Sequence, residues 1–169
     1  MCRQAYHSSN ALRRGCTISV LQSMRGVSHV EFLKTIKTMQ EDVYKWSKTQ
    51  SPKARKFGVY KLYNCLEEAF GAAFIANCRY PKDEEDYIYR EKYFLQARDN
   101  LHAFNAQIPI VNNILNISNK RLKRWCNSSE KAINLINGVL KSDKRKVTKI
   151  KADKAEAEKS KVDELEAEK

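Results

Sequence analysis

The stretch that decides the fold is residues 28–46, which read SHVEFLKTIKTMQEDVYKW. Ser28, followed three residues later by Glu31, matches a capping box, in which two free backbone N–H groups at a helix start find acceptors. Apolar residues then recur at alternating spacings of four and three. This heptad spacing predicts an amphipathic helix packed lengthwise against its neighbours. Its core positions are Phe32, Ile36, Met39, Val43 and Trp46.

Three further segments carry similar apolar stripes. Pro52 ends the first helix and suits the first turn of a second. Tyr80-Pro81-Lys82 separates the second helix from a third, which we expect Pro109 to disrupt. The alternative is that the apolar set Ile110, Val111, Ile114 and Leu115 carries the helix one or two turns further. Ser118 is the predicted cap of a fourth. We therefore predict an all-α fold, an antiparallel up-and-down four-helix bundle over residues 28–142. The later core positions are Val59, Leu62, Leu66, Ala69, Ala73 and Ala76; Tyr87, Phe94, Ala97, Leu101, Phe104 and Ile108; and Leu122, Trp125, Ile133, Ile136 and Leu140.

The two ends of the chain lie outside this pattern. Residues 1–27 contain arginine and serine but no acid, and we interpret them as a disordered, flexible leader. A mitochondrial transit peptide and a start at Met24 are the alternatives. Residues 143–169 form a charged tail of mostly Ala, Glu and Lys. Because the tail has few apolar residues, we expect it to be disordered or a solvated helix.

Composition narrows the classes of function. Lys and Arg outnumber Asp and Glu by 32 to 20, a net charge of +12. Such a surplus favours an anionic partner: nucleic acid, a membrane surface or an acidic protein. No apolar run approaches the roughly 20 residues that a membrane-spanning helix needs, so we predict no membrane span. The five cysteines include no CxxC pair. Reduced thiols in a cytoplasmic protein are the simplest interpretation.

Catalytic and metal-binding motifs are missing from the sequence. It contains no Glu-x-x-His or HExxH metal motif, no GxSxG nucleophile motif and no glycine-rich phosphate loop. His7, His29 and His102 are scattered along the chain. We therefore predict a protein that is not an enzyme, with no catalytic residue, no metal ligand and no cofactor.

Basic residues cluster at the starts of the second and fourth predicted helices. In an up-and-down bundle these two helices run in the same direction, so their starts meet at one end. The helix dipole disfavours cations there, which indicates a role other than helix stability. Free N–H groups at helix starts also bind phosphate, so we predict a polyanion site, with ordinary solubilising charges as the alternative. The predicted nucleic-acid-binding residues are Lys53, Arg55, Lys56, Lys61, Lys120, Arg121, Lys123, Arg124 and Lys131.

Three stretches of the chain resemble a known family. Trp46 precedes the run Ser51-Pro52-Lys53-Ala54-Arg55-Lys56-Phe57-Gly58, and an alanine-rich helix then ends in Ala76-Asn77-Cys78-Arg79. Residues 133–142, INLINGVLKS, are similar to a family ending of the form IGxxLGGWIKS, although Asn137 and Val139 replace its Gly and Trp. Over residues 32–142 the chain resembles the Avd-like four-helix-bundle family of diversity-generating retroelements, which has a related branch encoded in intervening sequences of 23S rRNA genes.

This resemblance implies a basic barrel of five bundles, a homopentamer, in a bacterial or phage-encoded protein. In retroelements such a barrel binds template RNA and the reverse transcriptase, and supports mutagenic cDNA synthesis (mutagenic retrohoming). By position, the turn from Pro52 to Lys56 and the basic start of the fourth helix would face nucleic acid or the polymerase. The rRNA-linked branch implies an alternative, an oligomeric scaffold for a protein partner.

Overall fold

A computed structural model describes residues 28–167, and describes side chains for residues 31–156. The predicted leader, residues 1–27, lies outside the described residues, as do residues 168–169. Within the described part the fold is all-helical, with four helices and no strand. Helix α1 spans Ser28–Ser47, α3 spans Glu84–Leu115 and α4 spans Asn119–Ala167. Helix α2 has three consecutive parts: a short start Pro52–Ala54, a π-helical turn Arg55–Val59, and the long part Tyr60–Cys78.

The predicted apolar stripes form one core. Every predicted core position of α1 and α2 is buried, and so are most of those of α3 and α4. Tyr87, Leu122 and Leu140 are half-buried at its margin. Aromatic rings anchor the helices to one another: Phe32 meets Phe94 edge to face at 5.5 Å, and Trp46 meets Trp125 at 5.4 Å. The heptad pattern therefore identified the core correctly.

The start of α2 has the predicted proline and one feature that the sequence did not predict. The Ser51 side chain accepts a hydrogen bond from Ala54 N at 3.2 Å, and Pro52 occupies the first turn. The next turn is π-helical, with Tyr60 N bonded to Arg55 O. It puts Gly58 against α3, where an added Cβ would lie 3.1 Å from Leu115 Cδ1. Glycine thus allows a close approach between the start of α2 and the end of α3.

The proline inside α3 does not interrupt the helix, so the expectation that Pro109 disrupts it was wrong: α3 runs through it to Leu115. Pro109 is exposed, whereas the nearby Ile108 and Val111 are buried and pack the helix into the core. The third helix instead ends at Asn116, which adopts a left-handed conformation with φ of 49°.

The charged tail continues α4 without a break. From Asp143 to Ala167 the chain is helical, and Asp143 and Val147 are buried. The Arg90 Nε atom of α3 lies 2.7 Å from Asp143 Oδ2, and Lys151 Nζ lies 2.5 Å from Glu84 Oε1. The first turns of the tail therefore pack against α3 instead of being wholly solvated. Residues beyond Lys151 extend the helix about 24 Å past this contact, at about 1.5 Å per residue.

The contacts between helices bring four helix ends together. Asp42 near the end of α1 contacts Trp125 near the start of α4, and Gly58 near the start of α2 packs on Leu115 at the end of α3. A three-residue connection joins α3 to α4. We call this region the basic end: the end of α1, the start of α2, the end of α3 and the start of α4.

Candidate nucleic-acid interface

Eight of the nine predicted site residues belong to the basic end. Lys53, Arg55, Lys56 and Lys61 lie on the first turns of α2, and Lys120, Arg121, Lys123 and Arg124 on the first turns of α4. Lys45 and Lys48, at the end of α1, are exposed beside them. The helix arrangement therefore gathers side chains that are far apart in the sequence.

Six of the nine predicted cations form no ion pair with any residue between 31 and 156. Five of the six are exposed, and their ammonium groups are available to an incoming phosphate. Arg55 is half-buried in the π-helical turn, and its Nε atom is buried with no hydrogen-bond partner among the described residues. The exposed five are Lys53, Lys56, Lys61, Lys120 and Lys123.

Asp42 partly neutralises the arginines of α4. Its Oδ2 atom lies 2.5 Å from Arg124 Nη2 and 3.9 Å from Arg121 Nε. The same oxygen accepts a hydrogen bond of 2.6 Å from Trp125 Nε1, and Trp125 is fully buried. One carboxylate thus satisfies a core tryptophan and holds two cations of the site. Sequence analysis missed this residue, because the spacing of residues within α1 does not show which of its carboxylates faces the start of α4.

Lys131 is separate from the other eight. Its Nζ atom lies 2.6 Å from Glu31 Oε1, in the first turn of α1. Lys131 is twelve residues after the start of α4, about 18 Å along the helix. The structure therefore pairs it with a carboxylate away from the basic end.

Large apolar side chains are also exposed at the basic end, and sequence analysis did not single them out. They are Tyr44 on α1, Phe57 and Tyr60 on α2, and Ile110 and Ile114 on α3. The heptad pattern identifies the buried face of each helix, but it carries no information on which outward apolar residues share a surface.

Two half-buried cysteines lie in the bundle, Cys65 on α2 and Cys126 on α4. Burial, with the nearby Glu68 carboxylate, raises the pKa of the Cys65 thiol, and burial with Glu130 raises that of Cys126. A higher thiol pKa lowers the population of the nucleophilic thiolate. A cavity of about 170 Å³ beside Asp42 is lined by charges of both signs, including Glu41, Lys45 and Arg124. Between residues 31 and 156, no three His, Cys, Asp or Glu side chains cluster to hold a metal ion.

Among the described residues, no helix combines the length and the apolar content that crossing a bilayer requires. Comparison with known proteins found no match to a family model, to a curated protein or to a solved structure.

Proposed function

We propose that this chain is an antiparallel up-and-down four-helix bundle whose basic end binds RNA and cDNA, and that it serves as a non-enzymatic accessory protein of the reverse transcriptase in a diversity-generating retroelement. The observation that carries the binding proposal is the set of five exposed lysines at the basic end that form no ion pair with any residue between 31 and 156. The retroelement context rests on the sequence resemblance over residues 32–142. The proposed setting is the cytoplasm of a bacterium.

The antiparallel arrangement is supported by the order of contacts along each pair of helices. In α1 and α4, Glu31 contacts Lys131, while Asp42 contacts Arg124. In α3 and α4, Glu84 contacts Lys151, whereas Phe104 meets Trp125. Residues later in one helix therefore meet residues earlier in the other.

Phosphate neutralisation predicts a steep dependence of binding on salt. Each phosphate contact on a single strand releases counterions and contributes a slope of about −0.7 to the plot of log affinity against log salt. We expect the full-length chain to bind RNA oligonucleotides with a slope of roughly −3 to −4, if the five exposed lysines contribute. Fluorescence anisotropy between 0.05 and 0.5 M salt measures this slope. Affinity independent of salt contradicts the proposal.

Two substitutions of Asp42 test its two roles, one in RNA binding and one in stability. Asp42→Asn keeps an acceptor for Trp125 and removes the charge that holds Arg121 and Arg124. We expect tighter RNA binding by roughly fivefold to 25-fold at 0.1 M salt, because each released cation adds about fivefold. Asp42→Ala leaves the buried Trp125 N–H without its acceptor and costs about 1–3 kcal/mol of unfolding free energy.

Glu41→Gln is the matched control for Asp42→Asn. Glu41 is exposed, is adjacent in sequence and makes no ion pair with either arginine. The substitution changes the net charge equally but releases no cation. If Glu41→Gln tightens RNA binding as much as Asp42→Asn does, the gain in affinity comes from net charge alone. The ion pairs with Asp42 then do not limit RNA binding by the arginines of α4.

The second candidate function is an oligomeric scaffold of the rRNA-linked type that binds a protein partner. One observation favours it: an open groove of about 550 Å³ between α2 and α3, where Ile88 is exposed and Leu95 half-exposed. Phe74 and Ile75 of α2 are also exposed. Such outward apolar residues suit packing against another copy, as in the homopentamer that the resemblance implies.

Capture experiments separate the two candidates. We expect the tagged chain to retain a reverse transcriptase encoded beside it, and to retain RNA that nuclease digestion removes. A protein partner that stays bound after complete nuclease treatment, from cells with no neighbouring reverse transcriptase, supports the scaffold instead. Sedimentation equilibrium of the purified chain gives the subunit number in both cases.

A further inference from the structure

Three aromatic side chains are exposed at the basic end. The exposed fraction is 52% for Tyr44, 61% for Phe57 and 56% for Tyr60. Aromatic side chains contribute the most stabilisation when they are buried, so exposing three of them in one region is unfavourable unless something covers them. None of them belongs to the core that the heptad pattern requires.

Lysines surround these rings. Phe57 is four residues from both Lys53 and Lys61, and Tyr60 is four residues from Lys56, spacings that bring side chains together on a helix. Lys48 Nζ lies 4.7 Å from the centre of the Tyr44 ring. Residues 43–66 contain six basic residues and no acid. The segment that carries these rings therefore contains only positive charges.

Phe57 lies in the π-helical turn, beside the glycine that packs on α3. Gly58 is buried against Leu115, whereas the neighbouring Phe57 is 61% exposed. The local geometry thus serves two purposes: close packing of α2 on α3, and display of an aromatic ring beside lysines.

We infer that Tyr44, Phe57 and Tyr60 stack against unpaired bases, and that the basic end recognises single-stranded nucleic acid in preference to a duplex. This inference rests on the proposed function and specifies its ligand. Lysines neutralise phosphates of any nucleic acid, but an aromatic face gains contact only with bases that are not already stacked in a helix. Aromatic stacking together with a positive groove is the combination that binds single strands without reading their sequence.

The charge of the surface favours this occupant over an apolar protein surface. A second copy of this chain carries the same net charge of +12, so its basic end would repel an identical surface. A nucleic acid strand offers both phosphates for the lysines and flat apolar faces for the rings. Both kinds of exposed side chain are then covered by one ligand.

The test compares three 12-nucleotide probes by fluorescence anisotropy at 0.1 M salt: a mixed-sequence single strand, an abasic single strand with the same number of phosphates, and a blunt duplex. We expect the full-length chain to bind the base-containing strand at least fivefold more tightly than the abasic strand, within the range that stacking on one ring provides. We also expect weaker binding to the duplex.

Substitutions of the aromatic residues test which rings stack on bases. Phe57→Ala and Tyr60→Ala should each weaken binding to the base-containing strand at least fivefold, leave the abasic strand unaffected and keep the salt slope. Tyr60→Phe retains the ring and should bind normally. Tyr80→Ala is the matched control, since Tyr80 is a partly exposed aromatic after the end of α2, away from the basic end, with Lys146 Nζ 5.2 Å from the centre of its ring.

Each alternative outcome is distinct. Equal affinity for the abasic and base-containing strands overturns stacking while leaving the proposed nucleic-acid binding intact. A change in sedimentation mass on Phe57→Ala or Tyr60→Ala overturns it in favour of contact between copies. If the chain binds none of the three probes, the proposed function itself is overturned, and the inference with it.

Discussion

Replacing the five exposed lysines of the basic end with glutamine is expected to weaken RNA binding by roughly 10³-fold at 0.1 M salt. Lowering the salt from 1 M to 0.1 M raises the affinity about fivefold for each phosphate contact on a single strand. Five such contacts together therefore raise the affinity about three thousandfold. The slope of log affinity against log salt should become shallower by about 3.5. The substituted residues are Lys53, Lys56, Lys61, Lys120 and Lys123.

The arginines are left unchanged in this variant for structural reasons. Arg121 and Arg124 are paired with Asp42, so replacing them would disturb the contact between α1 and α4. Arg55 is half-buried, and its Nε atom is enclosed. The five lysines are exposed and form no ion pair with the residues whose side chains the structure describes. We therefore expect the free energy of unfolding, measured with urea, to change by less than about 0.5 kcal/mol per residue, as for ordinary surface substitutions.

A second variant of equal charge controls for the net charge of the protein. It replaces five exposed lysines outside the basic end: Lys34, Lys37, Lys82, Lys92 and Lys141. Both variants lower the net charge by the same amount. We expect the control to lose less than about tenfold in affinity, because exposed charges beyond a Debye length of about 10 Å are largely screened. Equal losses in the two variants would mean that the basic end is not the binding site.

The core was predictable from the sequence because burial follows the apolar repeat directly. Phe32, Ile36, Met39, Val43 and Trp46 are all buried, as the spacing of four and three requires. The start of α2 at Pro52 and the break at Tyr80-Pro81-Lys82 before α3 also followed from local signals, a proline in each case. These features depend on residues within one or two turns of each other.

The features that the sequence did not reveal depend on which helices are neighbours. Asp42 meets Arg124 across 82 positions of the chain, and no local pattern encodes that pairing. The π-helical turn at Arg55–Val59 depends on the fit between Gly58 and Leu115. The candidate site could therefore be predicted as a set of cations, but the pairing that divides them into free and neutralised groups could not.

The apolar stripes of α3 and α4 each contain a charged residue at a core position. Arg90 lies in the stripe of α3 between Tyr87 and Phe94, a core position occupied by a charge. Asp143 lies seven residues after Ile136, on the continuation of the stripe of α4. Buried charges are almost always paired, so two opposite charges at core positions of two helices indicate a partnership. A partnership between Arg90 and Asp143 also implies that the packed part of α4 extends beyond Ser142.

Asp143→Ala is expected to lower the free energy of unfolding by about 3–5 kcal/mol, because it removes a buried carboxylate that neutralises the buried guanidinium of Arg90. Only 4% of the Arg90 side chain and 2% of that of Asp143 are exposed, and Nε lies 2.7 Å from Oδ2. The Arg90 Nη1 bond to Arg79 O and the contact with the Phe94 ring do not depend on Asp143, but neither a carbonyl nor a ring supplies a full negative charge. For a chain of this length the loss corresponds to roughly 6–20 °C in melting temperature.

The double variant Arg90→Met and Asp143→Leu separates the cost of an orphaned charge from the net contribution of the pair. Removing both charges also removes both desolvation penalties, and apolar side chains of similar size can fill the space. We therefore expect the double variant to unfold within about 1 kcal/mol of the original chain, far less than the single variant loses. Urea unfolding followed by circular dichroism measures all three chains.

The exposed ion pair between Glu84 and Lys151 is the matched control, since it joins the same two helices at a similar distance. Its side chains are 56% and 54% exposed, and exposed pairs contribute about 0–1 kcal/mol. Lys151→Ala should therefore have little effect on unfolding. If Asp143→Ala costs no more than Lys151→Ala, the start of the tail does not pack against α3, and the folded unit ends at Ser142. A large loss for Asp143→Ala, rescued in the double variant, extends the folded unit to include Asp143.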